Sequence, residues 1–294
     1  HNDVSYPPSW YVICVAHELA IGQTREVEAM GETLVAYRGA DGRARVTGGN
    51  CPHRGSQLFR GGHVEGNQLV CNAHGSRWNG ETGAGEGRRR CPAKLRTYPV
   101  RERYGAVLFW YHPEQAPPSF EPPPLPTFAD GTPYDTLHWR SQEPYRTDLR
   151  YFLRDGIDDE HFEHTHRLPG AVTTACQRGH VLDAYTRSPM APSRMLAVAD
   201  VDVPIDPHTW GERLVKGLAE RMDRWQHGQY EFSDVMHGAG ITFQEGVTRF
   251  PGAGIEMFYL LVSTPLPIRP GLIQARFAVS QPVRGWRPLR RLHM

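Results

Sequence analysis

The sequence predicts an α+β protein in two parts: a small antiparallel β domain over residues 1–112 and a larger mixed domain over residues 129–294, joined by a stiff connection at 113–128. Three observations carry this expectation. Before residue 112 the apolar residues fall in short runs punctuated by glycine, the pattern of strands and tight turns. Between His112 and Phe128 stand seven prolines, too many for a helix or a central strand, so the stretch reads as an extended linker. Beyond it, stripes at helical spacing are followed by strand-like runs.

Composition narrows the class. A chain of 294 residues has ample material for a buried core. Its 33 basic residues nearly balance 32 acidic ones, so no nucleic acid or other polyanion is expected as a partner. No apolar run approaches the roughly 18 residues of a membrane span, and the amino end lacks a signal-peptide pattern; a soluble, cytoplasmic protein is expected. Of the five cysteines, two are interleaved with histidines and read as metal ligands rather than a disulfide framework. Cys14, Cys91 and Cys176 read as small apolar fillers.

In chain order, "WYVICVA", "TLVAYRGADGRARVTG", "NQLVCNA" and "GAVLFWYH" read as strands, with hairpin turns at Ala40-Asp41-Gly42 and Glu65-Gly66-Asn67. After the linker, "TDLRYFLRDGIDDEHFEHTH" sets Leu149, Phe152, Leu153 and Ile157 on or near one stripe, and "GERLVKGLAERMDRWQHG" does the same with Leu214, Leu218, Met222 and Trp225. Both are expected to be helical. "GITFQEGV", "IEMFYLLVS" and "LIQARFAVS" are expected strands. No internal repeat is visible.

The chemistry concentrates between Cys51 and Gly75. Cys51-x-His53 is followed, after seventeen residues, by Cys71-x-x-His74, and a glycine closes each half. Two such loops facing each other offer two thiolates and two imidazoles. A structural zinc could use that set, and so could a [2Fe–2S] centre in which two histidines replace two cysteines on one iron. Spacing alone does not separate them. Context does: both loops sit at tips of a β domain, each with a glycine that lets backbone amides approach sulfides.

On "CPHRG" and "CNAHG" the sequence resembles the Rieske proteins. The resemblance implies that Cys51 and Cys71 hold a buried iron and His53 and His74 an outer one. Respiratory and photosynthetic members carry an extra, disulfide-bonded cysteine in each loop and a membrane anchor. The equivalent places here hold Ser56 and Ala73, and "CPHRG" with Arg54 is more similar to bacterial Rieske non-haem iron oxygenases. That implies a lower-potential cluster feeding a mononuclear iron site of two histidines and a carboxylate.

"DGIDDEHFEHTH" matches the family's second motif through Asp158-x-x-His161-x4-His166. By resemblance, His161 and His166 bind Fe(II). Asp158 is expected to bridge to His74 of a neighbouring subunit and carry electrons across a homotrimer interface. On an ideal helix five residues turn through about 500°, leaving the two histidines about 140° apart, so the helix must end or bulge between them. His164 is geometrically the easier partner and stands as a reserve ligand. The third ligand is not identified: after Gly271 there is no Asp or Glu, and Glu231, Asp234, Glu245 and Glu256 read as surface or cross-strand charges. The expectation is a helix-grip, START-like catalytic domain incomplete at its C-terminus, an opening His1 in place of methionine agreeing with a fragment.

Within the oxygenases, "SYPPSWYVICVAHEL" and "REVEAMGETLVAYRG" resemble the opening strands of the subgroup that includes 3-ketosteroid 9α-hydroxylase oxygenase, cholesterol 7-desaturase and aminopyrrolnitrin oxygenase. "ERYGAVLFWYHP" and "GAGITF" are slightly more similar to the last. The resemblance implies an oxidoreductase that uses O2 to hydroxylate, N-oxygenate or desaturate a small hydrophobic cyclic molecule. Its electrons would come from NAD(P)H through a ferredoxin and/or flavin reductase. Met257, Phe258 and Leu260 are candidate pocket residues, or plain core. The competing expectations are a Rieske electron carrier, or a sensor with a degenerate iron site.

Overall fold

The structure, a computed structural model, describes residues 6–86, 93–127, 133–134, 136–155, 172–177, 193–202, 227–250 and 255–280. Its organisation follows from one strand. β1 (Ser9–Val15) pairs antiparallel with β11 (Ala106–Tyr111), which pairs with β10 (Val100–Arg103). Every residue of β1 is buried, because this small sheet is a middle layer. Tyr11 and Ile13, with Val107 and Phe109, enter a core shared with Leu34, Ala36 and Val46. Trp10 and Val12, with Ala106, Leu108 and Trp110, enter a second core shared with Ile241, Phe243, Leu260, Val262 and Ala278. A strand covered on both faces carries an unbroken apolar run instead of an alternation, which is why "WYVICVA" looks as it does.

On the first face lies a four-stranded sheet in the order β2 (Thr24–Ala29), β3 (Glu32–Arg38), β4 (Ala44–Gly48), β9 (Thr97–Tyr98). The hairpin expected at Ala40-Asp41-Gly42 joins β3 to β4, with Gly42 at φ 76°. A second four-stranded sheet runs β5 (His63–Glu65), β6 (Gln68–Cys71), β7 (Ser76–Asn79), β8 (Gly85–Glu86), and its β5–β6 turn is the other expected hairpin. A short helix α1 (Leu58–Gly61) leads into it.

On the second face lies a seven-stranded antiparallel sheet. Its order is β12 (His138–Ser141), β18 (Leu272–Ser280), β17 (Ile255–Arg269), β16 (Ile241–Phe250), β15 (His227–His237), β14 (Ser193–Asp202), β13 (Val172–Gln177). β16, β17 and β18 are the strands expected from sequence; β12 to β15 were not anticipated, their runs being broken by charge and small residues. Helix α2 (Leu149–Asp155) buries Leu149 and Leu153 in the first core. The rest of that expected helix, with Ile157, lies outside the described residues. So do residues 211–226 of the other expected helix, whose last two residues, His227 and Gly228, are strand.

The proline-rich connection forms no helix or strand over residues 112–126. It is strapped down rather than free. Proline lacks an N–H but keeps its carbonyl, so such a segment offers acceptors. Trp10 Nε1 donates to the Phe120 carbonyl at 2.7 Å and Trp110 Nε1 to Ala116 at 3.0 Å. The Tyr104 hydroxyl donates to Pro123, and Arg101 pairs with Glu121 at 2.7 Å. Among the described residues no helix is long and apolar enough to cross a membrane.

Candidate metal centre

Two loops carry the four sequence-identified donors, and their backbones are alike. The first runs from β4 to α1, closed by the Asn50–Gln57 bridge; the second joins β6 to β7, closed by the Cys71–Ser76 pair. In each, the N–H of the glycine four residues after the cysteine donates to the cysteine carbonyl at 2.8 Å: Gly55 to Cys51 and Gly75 to Cys71. Both glycines are left-handed, at φ 76° and 66°, where an L side chain would be strained. The histidine sits at the second place after cysteine in one loop and the third in the other, so two similar turns present different rings.

The donors separate into two pairs. Cys51 and Cys71 are each 2% exposed and lie in one buried cluster with Leu69 and Trp78. Burial pushes the Cys51 thiol up; the backbone N–H of His53 donates toward its sulfur and acts the other way. Outside them the His53 and His74 rings stand 4.9 Å apart, nearly perpendicular at 88°. His53 Nδ1 is buried with no hydrogen-bond partner. A buried imidazole nitrogen without a partner is costly unless something is to bind it. Among the described residues no three His, Cys, Asp or Glu side chains gather for a single ion. A structural zinc needs its four donors convergent, whereas a [2Fe–2S] centre takes thiolates on one iron and imidazoles on the other. Two segregated pairs, with a buried imidazole nitrogen left unpartnered, fit the second.

Around the loops, His63 Nδ1 meets Asn72 Oδ1 at 2.7 Å and its Nε2 meets Glu65 Oε1 at 2.9 Å. These contacts, Glu65 foremost, raise the His63 pKa, and Glu65 is held below the usual carboxylate range by His63 and then Arg77. Cys14 is the expected filler: fully buried, with burial pushing its thiol up to about 11. Trp78, buried in one cluster with the two cysteines and Leu69, escaped the sequence reading; the available signal was an indole two residues past the strand start that closes the second loop.

The expected iron ligands His161 and His166, the reserve His164 and the bridging Asp158 lie outside the described residues. Of the four upstream acids, Glu245 accepts a hydrogen bond from the Tyr134 hydroxyl at 3.0 Å. Glu231, Asp234 and Glu256 stand opposite Val247, Gln244 and Arg249 in the strand register.

Of the two readings offered for Met257, Phe258 and Leu260, pocket lining or plain core, Leu260 takes the second. Leu260 is fully buried against Trp10 and Leu108 of the middle layer, so it is core. Phe258 shares its strand face. The opposite face carries Tyr259, Leu261, Ser263, Thr242, Gln244 and Phe277, all half-buried. Tyr259 lies flat across Gly246 of β16, where a Cβ would come 2.1 Å from the ring, and its hydroxyl reaches Gln244 Oε1 at 3.3 Å.

Comparison with known proteins gives two family matches. Residues 9–99 match the Rieske [2Fe-2S] domain, and residues 109–283, more than half the chain, match the 3-ketosteroid 9alpha-hydroxylase C-terminal domain. A probable 3-ketosteroid-9-alpha-monooxygenase oxygenase component of Rhodococcus rhodochrous is 33% identical over 197 residues, 63% of this chain and 49% of that protein. Cholesterol 7-desaturase of Caenorhabditis elegans is 30% identical over 175 residues, 57% of this chain and 40% of that protein. The chain thus spans about half, or less, of the length of these relatives. Among solved structures, dicamba monooxygenase bound to dicamba superposes with a TM-score of 0.64 at 17% identity, over 93% of this chain and 77% of that one, a likeness of fold.

Proposed function

Since the chain belongs to the family of the 3-ketosteroid 9alpha-hydroxylase C-terminal domain, we propose that it is the oxygenase component of a Rieske non-haem iron system. In this reading it uses O2 and electrons supplied from outside to hydroxylate or desaturate a hydrophobic, sterol-like polycycle. The observation that carries the reading is the segregation of two buried thiols from two imidazoles, with His53 Nδ1 buried and without a partner. Cys51, Cys71, His53 and His74 would hold the cluster, and His161 and His166 the mononuclear iron. When bound, the cluster supplies single-electron transfer and the iron supplies dioxygen activation.

The protein's own contribution is placement. Cys51 and Cys71 must lose their protons to bind, so loading releases protons and weakens as pH falls. His74 is exposed at the edge of its loop, where Asp158 of the partner subunit would accept its N–H in a homotrimer. The half-buried sheet face with Leu261 and Phe277 offers apolar floor, and the Tyr259–Gln244 pair one polar point for a hydroxyl or ketone. The names of the relatives favour a steroid nucleus.

The test is turnover with a reductase, NAD(P)H and O2 on a 3-ketosteroid and on cholesterol. Oxygen-dependent formation of hydroxylated or desaturated product is expected. His161→Ala should abolish it while leaving the visible spectrum of the cluster intact. A cluster that accepts electrons but yields no product from either class would overturn the oxygenase reading and leave an electron carrier.

A further inference from the structure

His63 opens β5, and its ring reaches the second ligand loop beyond the end of β6. Nδ1 lies 2.7 Å from Oδ1 of Asn72, which follows Cys71 in that loop, and Nε2 lies 2.9 Å from Oε1 of Glu65. A carboxylate and an amide carbonyl both accept, so each ring nitrogen must donate, and only the imidazolium has two N–H groups. Arg77 of β7 holds Glu65 from its other side in an ion pair. Glu65 and Arg77 are the charged groups that face the ring. β6 carries no charged residue ahead of Cys71, and α1 sets Gly61 beside Asn72 and turns Arg60 over the Phe59 ring at 5.8 Å.

Loss of one proton breaks this pattern at a definite end. Glu65 can only accept, so Nε2 keeps its hydrogen and Nδ1 is left bare opposite Asn72 Oδ1. Two acceptors then face each other at hydrogen-bond distance, and the amide must turn to present its NH2. Gly61 leaves room for that turn: even a Cβ there would stay 3.7 Å from Asn72 Nδ2 and 3.8 Å from Asn72 Cβ.

We propose that His63 is a positioning residue of the second ligand loop: as an imidazolium it fixes the Asn72 side chain, places a positive charge beside the loop, and so raises the reduction potential of the cluster held there. The inference rests on the Rieske reading above. Reduction adds one electron, delivered by the external reductase, and no bond to iron forms or breaks. The proton that His63 gives up or takes back exchanges with water, since the ring is exposed. A positive charge beside the loop stabilises the reduced, more negative state more than the oxidised one. Exposure keeps the effect small, because water and salt screen the charge. The sign follows: His63 is charged at low pH, so the potential is higher there and falls as pH rises through the His63 titration.

The test is the cluster midpoint potential followed from about pH 5.5 to 8.5, across the histidine range, in the unaltered protein, His63→Phe and Glu65→Gln. The two ligand histidines are common to all three, so the comparison isolates His63. In the unaltered protein the reduced-to-oxidised ratio at a fixed poise should fall about two- to threefold over a step at the His63 titration, which is ~18–28 mV at about 59 mV per tenfold for a one-electron couple. His63→Phe should lack the step and stay at the high-pH level throughout. Glu65→Gln should carry the step to lower pH. Superimposable curves for the unaltered protein and a loaded His63→Phe overturn the proposal. Should His63→Phe fail to load, linkage decides it within the unaltered protein: by NMR the reduced form should bind the His63 proton about two- to threefold more tightly than the oxidised form. Equal affinity in the two forms overturns the proposal. Absence of any cluster from the unaltered protein would instead overturn the Rieske reading itself.

Discussion

Gly55 and Gly75 show how little room a metal loop leaves for substitution, even where there is space. Both are left-handed, yet a Cβ at either would meet nothing within 4 Å. Gly75→Ala should therefore cost only backbone strain, about 1–2 kcal/mol, read as a lower thermal midpoint with the cluster still loaded. His63 gives a pH-dependent prediction. Glu65 and then Asn72 raise its pKa, so its stabilising contribution is full below the unfolded histidine value and fades as pH rises through the raised folded one. An NMR titration should find His63 above an ordinary histidine and Glu65→Gln should bring it down; an unshifted His63 in both would contradict the network. At this scale the sequence was readable where chemistry demands a residue type at a fixed spacing, as with Cys51, His53, Cys71 and His74. Trp78 and the Tyr259–Gly246 contact were not, because a ring buried beside two cysteines or laid on a neighbouring strand leaves no periodic mark.

Among the elements, β1 carries the most weight. Trp10 packs against Trp110, faces the seven-stranded sheet and anchors the linker through the Phe120 carbonyl. Trp10→Ala should cost about 3–5 kcal/mol, in the range for a buried large aromatic, and should loosen the linker as well. Chemical denaturation would measure the first, and faster proteolysis between residues 112 and 126 the second. Apolar continuity made β1 and β11 visible in sequence, and turn residues made the β3–β4 and β5–β6 hairpins visible. β12 to β15 escaped because strands such as "SRMLAVADVD" mix small residues with acids, and their pairing rests on neighbours distant in sequence. The linker was readable as free of helix and strand but not as strapped, since Phe120, Pro123 and Ala116 carbonyls are met by side chains of Trp10, Tyr104 and Trp110 outside it.

At the scale of the whole molecule, three layers lock the cluster-bearing sheets to the seven-stranded one. The β2–β3 turn donates from Met30 and Gly31 to the Pro267 and Ile268 carbonyls at 2.8 and 2.7 Å. Arg276, largely buried, donates to the Val12 carbonyl at 3.3 Å across the same boundary. This architecture places a candidate electron-accepting centre on a rigid support beside a sheet whose far face is half open. The measurement that tests the account most directly is iron and acid-labile sulfide per chain on anaerobically purified protein. The account predicts about three irons with two sulfides, a cluster plus a mononuclear site. Iron or zinc without sulfide would contradict it, since the two thiols and two imidazoles would then be holding something other than a Rieske centre.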